Sequence, residues 1–210
     1  MNVIELKNLS IGYEKSNPIL TNINFTFEDN KIYGILGKSG LGKSTLLQTI
    51  AGLIKPLDGE ILFNGEPLRS ARENDIVMLF QNYTCFDWLN ELENVLIAKR
   101  VKGPVTPTDI SNAKYWLKAV GLGENKYPTQ LSGGMRQRLA LARTLFMNPA
   151  VVLMDEPLSA LDEKTRKDMQ NLILKDHEQD KNIIIMVTHS TEEAERMCDF
   201  IIDMNKFKMI

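Results

Sequence analysis

The chain has 210 residues, 43% apolar and 25% charged, and its 25 basic and 27 acidic side chains leave a net charge of −2. That length supports one domain with a sizeable core, and the near balance of charge leaves no basic footprint for nucleic acid. No run of about 18 apolar residues occurs, so any membrane link is expected to pass through another polypeptide. MNVIELKNL, with Glu5, does not read as a signal peptide. Cys85 and Cys198 lack metal-ligand spacing and point to a reducing compartment.

In chain order, Val3 to Leu6, Ile23 to Phe27 and Ile61 to Phe63 read as strands with alternating faces, fit for a small antiparallel layer. Lys31 to Leu36 (KIYGIL) reads as a short apolar strand, and Thr45 to Leu53 as a helix ended by Gly52 and Pro56. Between them runs GKSGLGKST: Gly37, Lys38, Ser39, Gly40, Leu41, Gly42, Lys43, Ser44, Thr45. This is the spacing of a phosphate loop. Its glycines let successive N–H groups turn toward one anion at the positive end of the following helix. Lys43 then reaches the β and γ phosphates of a nucleotide such as ATP, and the Ser44 hydroxyl ligates Mg²⁺.

Further on, Ile76 to Phe80, Ala150 to Met154, Ile183 to Val187 and Phe200 to Asp203 read as buried, mostly parallel strands. Helical patterns fill about 82–147 (Asn90 to Lys99, Asp109 to Val120, Gly134 to Phe146), interrupted by Gly103, Pro104, Pro107 and Pro128. The apolar run Val151 to Met154 ends in two adjacent carboxylates, as ligand groups are presented at strand ends of open α/β sheets. Asp155 would hold Mg²⁺, and Glu156 would take a proton from, or orient, the water attacking the γ-phosphate. His177, in the polar KDHEQDK stretch, reads as a solvated helix end.

LSGGMRQRLALAR, Leu131 to Arg143, resembles the signature of ATP-binding cassette (ABC) ATPases. The family's order is kept throughout: phosphate loop, a lone Gln81 after IVMLF, the signature, the acidic strand, an SALD turn (Ser159 to Asp162) and a strand ending in His189. Tyr13, in IGYEK, sits where the family places an aromatic ring against adenine. The resemblance implies an α/β P-loop NTPase with a RecA-like core, an antiparallel β subdomain and an inserted helical subdomain. The whole chain, 1–210, is then one ATP-binding domain, its core 1–81 and 148–210 and its helical subdomain about 82–147.

It further implies Gln81 at Mg²⁺ and the attacking water, and His189 on the γ-phosphate and Glu156. Ser132, Gly133 and Gly134, at a helix N-terminus, form another anion site. This signature and the SALD turn with Asp162 would meet an ATP held by a second copy, giving a head-to-tail homodimer around two ATPs. The expected role is an ATP-hydrolysing subunit at the cytoplasmic face of the cell membrane, peripheral, driving permease subunits and served indirectly by an extracytoplasmic solute-binding protein. No partner of nucleic acid is expected.

Met135 replaces a common Gln, and with ALDEKTR and an aromatic DWL it resembles importers of nitrate, sulfonate, taurine or pyrimidine precursors. Those usually carry Leu-Pro-Trp where Phe86, Asp87 and Trp88 stand here. Phe86 and Trp88 are candidates for a groove gripping a membrane subunit, or for core packing. With only a short stretch after Phe200 to Asp203, no added regulatory domain is expected. Two rivals stay open. A soluble cassette in translation or DNA maintenance usually has tandem cassettes or a long coiled-coil insertion, and a non-hydrolysing module is opposed by Lys43, Glu156 and His189.

Overall fold

The computed structural model describes residues 2–71, 73–204 and 207–209. In chain order the elements are β1 (Val3–Ile11), β2 (Leu20–Glu28), β3 (Lys31–Leu36), α1 (Lys43–Ile50), β4 (Asp58–Phe63), β5 (Glu66–Pro67), β6 (Ile76–Leu79), α2 (Glu91–Lys102) and α3 (Pro107–Ala119). A 3-10 turn at Pro128–Gln130 follows, then α4 (Gly133–Phe146), β7 (Val151–Asp155), α5 (Glu163–Asp180), β8 (Ile183–Thr188), α6 (Thr191–Met197), β9 (Phe200–Asp203) and β10 (Lys208–Met209). Two compact units partition the chain: Met1–Met78, Pro149–Glu156 and His177–Ile210, and Leu79–Asn148 with Pro157–Asp176.

The first unit carries two sheets. The antiparallel one has the order β2-β1-β4-β5. Alternation along β1 buries Ile4 and Leu6, then resumes one residue out of phase at Leu9 and Ile11. A register shift lies between, with Asn8 at φ 48°. This bulge lets β1 run past Leu6, where unbroken alternation ends. The second sheet has the order β10-β9-β3-β8-β7-β6, and its β9-β3-β8-β7 pairings are parallel. Every residue of β7 and β8 is buried, as strands covered on both faces require. Ile35, Leu46, Leu153, Ile185, Val187 and Ile202 join one core, each buried side chain stabilising by about 1.5–3 kcal/mol.

The second unit packs α2, α3 and α4 against one another. Asn90 Oδ1 accepts from Glu93 N at 2.9 Å, and Glu93 Oε2 accepts from Asn90 N at 3.2 Å, closing a capping box on α2. Thr106 and Asp109 repeat the device on α3. Pro107 therefore opens this helix rather than interrupting it, since a first-turn proline lacks only an N–H that would have no helical partner. Fully buried Asn94 donates to Phe86 O at 3.1 Å and to Leu89 O at 2.7 Å, fixing the turn before α2.

His177 corrects a sequence expectation. It is buried at the end of α5, its Nδ1 lying 3.1 Å from Oδ1 of buried Asn182. The polar neighbours Glu178 and Gln179 face solvent, while the helical period turns His177 inward.

Candidate functional site

Strand register gathers the chemistry of the first unit at one edge. Leu36 of β3 pairs with Thr188 of β8, and Asp155 of β7 with Val187 of β8. The carboxyl ends of three parallel strands therefore deliver the phosphate loop, Asp155 with Glu156, and His189 side by side, at the place where open α/β sheets bind ligands. Gly42 caps α1 at φ 86°, and a Cβ there would lie 2.4 Å from Ile19 Cγ2. Only glycine fits that position. No side chain caps α1. Buried Lys43 folds back across the loop, Nζ donating to Gly37 O at 2.7 Å and to Lys38 O at 2.9 Å. Lys38, Ser39 and Gly40 at the tip are exposed. Tyr13 is 73% exposed, and its hydroxyl lies 3.4 Å from Thr45 Oγ1, bringing the ring to the start of α1.

Asp155 is buried at the tip of β7. Burial raises its carboxyl above the ordinary value; the Ser44 hydroxyl hydrogen-bonded to it lowers it, neighbouring Glu156 raises it and Lys43 lowers it. Ser44 and Asp155 are thus two hard oxygen donors in contact, a fit for a divalent cation completed by phosphate and water. Because the folded state holds the Asp155 proton more tightly than the unfolded chain, this group's favourable contribution exists at low pH. It is lost as pH rises through the raised folded value. At neutral pH the ionised group costs stability, so Asp155→Asn should raise Tm of the chain without nucleotide or metal by ~2–4 °C. That gain should shrink as the buffer is acidified, which a pH series of thermal melts checks.

Glu156 follows at φ 49°, its N–H still donating to Val187 O at 3.0 Å. Its Oε1 stands 3.7 Å from His189 Nδ1, within ion-pair range but too long for a hydrogen bond. His189 is exposed while the Glu156 side chain is largely covered. An accessible imidazole and a largely covered carboxylate therefore stand side by side at this edge.

In the second unit, Ser132 Oγ accepts from Met135 N at 3.3 Å and caps α4. Ser132 and Gly133 are exposed, and a Cβ on Gly133 would meet nothing within 4 Å. Exposed Gln81 lies in the turn after β6. Asp162 accepts from Thr165 N at 3.0 Å, which holds its carboxyl below the ordinary value and starts α5. Trp88 is 74% exposed rather than core; half-buried Phe86 lies edge-on to it at 5.5 Å and beneath the Arg143 guanidinium at 5.4 Å.

Residues 20–159 match the ABC transporter family. The chain belongs to that family. It is 43% identical over 185 residues to an uncharacterized ABC transporter ATP-binding protein of Methanocaldococcus jannaschii, covering 87% of this chain and 69% of that one. It is 38% identical over 200 residues to the taurine import ATP-binding protein of Ruegeria pomeroyi, covering 92% of this chain and 74% of that one. A dimeric structure of a post-hydrolysis state of an ATP-binding cassette bound to ADP and Pi superposes with a TM-score of 0.86 at 32% identity, covering 95% and 93% of the two chains. The α/β P-loop fold of the ABC ATPase type, expected from the signature and its satellites, is borne out.

Among the cassette's described residues, no helix is long and apolar enough to cross a membrane. Sequence reasoning missed three residues that place its SALD turn: Tyr83, whose hydroxyl meets Ser159 Oγ; Gln137; and Arg166, which donates to Leu161 O at 2.7 Å. Tyr83 and Gln137 stood close to Gln81 and the signature, but their partners lie far along the chain.

Proposed function

We propose that this chain is the Mg²⁺-dependent, ATP-hydrolysing subunit of an ABC importer, a translocase component bound peripherally to permease subunits at the cytoplasmic membrane face. The reading takes 1–210 as one ATP-binding domain with core 1–81 and 148–210 and a helical part about 82–147. The observation that carries it is the shared edge of β3, β7 and β8, where Lys43, Asp155, Glu156 and His189 emerge together.

Tyr13 stacks on the adenine. The loop amides from Gly37 to Thr45 cradle the phosphates, and Lys43 exchanges its carbonyl partners for phosphate oxygens. Ser44, Asp155 and Gln81 would hold Mg²⁺, and the bound ion would offset the phosphate charge. Glu156 accepts the proton of the attacking water, and His189 hydrogen-bonds the γ-phosphate. Ser132, Gly133 and Gly134, with the Asp162 turn, complete the site of a second copy in a head-to-tail homodimer. Import, in the nitrate, sulfonate, taurine and pyrimidine-precursor group, is supported by the relative named for taurine import. A solute-binding protein outside the membrane would then select the cargo.

Lys43→Ala should weaken ATP binding by about 10- to 100-fold, the loss of charge-assisted hydrogen bonds, in an equilibrium titration with a fluorescent ATP analogue. For the function as a whole, the decisive test is purification of the complex from native membranes. Co-purifying permease and solute-binding chains, with Mg²⁺-dependent phosphate release, are expected. Recovery with ribosomes or DNA, or no phosphate release from the intact complex, would overturn the assignment.

A further inference from the structure

The SALD turn is fixed within its own unit by polar contacts from three side chains. Ala160 N–H donates to Gln137 Oε1 at 3.0 Å, and Gln137 is fully buried midway along the first turns of α4. One turn earlier on the same face, a Cβ on Gly134 would lie 3.2 Å from Ala160 O and 3.3 Å from Leu161 Cδ2. Helix and turn therefore touch so closely that a Cβ there would need its neighbours to give by a few tenths of an ångström. The Tyr83 hydroxyl meets Ser159 Oγ. Arg166 Nη2 donates to Leu161 O at 2.7 Å. Ser159 and Ala160 are themselves exposed, so apolar burial does not place them. A buried carboxamide costs desolvation that a leucine would avoid, unless its hydrogen bonds are needed.

We propose that Gln137 and Tyr83 are positioning residues that lock the SALD turn to the signature helix. The arrangement of the turn, three residues beyond Glu156, then reports on what the signature of the same protomer is touching. The inference rests on the reading that Ser132 closes on a partner's ATP while Glu156 serves the protomer's own. Signature and turn then move as one body, and occupancy of one nucleotide is felt at the other. The Tyr83 bond extends the same body to the turn that carries Gln81.

Two readouts on the full chain, with its permease where turnover is measured, decide the matter. In hydrogen exchange, Gln137→Leu should speed exchange of the segment 157–162 about tenfold, as expected for the Ala160 N–H losing its acceptor. Segments of α4 beyond residue 139 should be unchanged. In steady state, Gln137→Leu and Tyr83→Phe should each lower kcat about tenfold with KM for ATP within about twofold. The Hill coefficient for ATP should fall toward about 1. Tyr83→Phe, at a half-buried position, guards against a folding defect in the Gln137 variant. Tyr83→Phe with Ser159→Ala should cost no more than either alone, because both delete the same bond.

A purely structural role would lower Tm and the active fraction while the Hill coefficient stayed at the parent value. That result, or unchanged exchange in 157–162, overturns the proposal. If instead Glu156→Gln turns over like the parent, the functional reading beneath it fails. The exchange result then still decides by itself whether Gln137 holds the turn.

Discussion

Glu156→Gln should reduce ATP turnover by about 10²–10⁴-fold, the range for losing a positioned general base, while ATP binding survives. The substitution is isosteric and keeps whatever the positive φ of 49° costs, so fold and loop geometry should be retained. Lys43, Ser44 and Asp155, which face the phosphates in the proposed reading, are untouched. Without hydrolysis to reopen it, an ATP-closed dimer should accumulate, visible by size-exclusion chromatography in ATP and absent in ADP. Neutral Gln also removes the carboxylate charge that stands 3.7 Å from His189 Nδ1. Turnover at the parent rate would reassign the base. Lost turnover together with lost binding would instead mean that Glu156 shapes the nucleotide pocket.

The parts of the fold and site legible in the sequence are those whose chemistry is local. A phosphate loop needs glycines, a lysine and a hydroxyl within nine residues, and the strand and helix around it follow from adjacent apolar runs. β3 ends where KIYGIL ends, and β7 ends at its carboxylate. Contacts made across long sequence separations left no comparable mark. β1 outruns its alternation through a bulge whose cause is pairing with β2 and β4. His177 looks solvated among charges until Asn182 is seen beneath it. The anchoring of Ser159 by Tyr83 and of Ala160 by Gln137 spans 76 and 23 residues. No periodicity records a bond of that kind, and a glutamine in an Arg-rich helix is ordinarily taken for a surface residue.

Ser132→Arg should leave ATP binding by a single copy intact and abolish turnover, for the signature lies in a different unit from the phosphate loop and exposes Ser132 and Gly133. Losing the Ser132 cap costs about 1 kcal/mol of helix stability, too little to unfold a buried α4. The block therefore has to come from the arginine filling the open space beside Gly133. Mixed dimers then separate action between copies from action within one. Consider tagged, purified mixed dimers of Ser132→Arg with Glu156→Gln. If the signature serves the partner's nucleotide, one of the two sites combines an intact Glu156 from one chain with an intact Ser132 from the other. Turnover should then recover to about half the parent dimer if the sites act independently. Putting both substitutions in one chain and pairing it with the parent spoils both sites in that arrangement, so activity should stay near zero. A signature acting on its own protomer's ATP would invert the ranking: the first pairing would be dead and the second half-active. The order of these two mixtures thus fixes which copy completes each site, whatever the absolute rates.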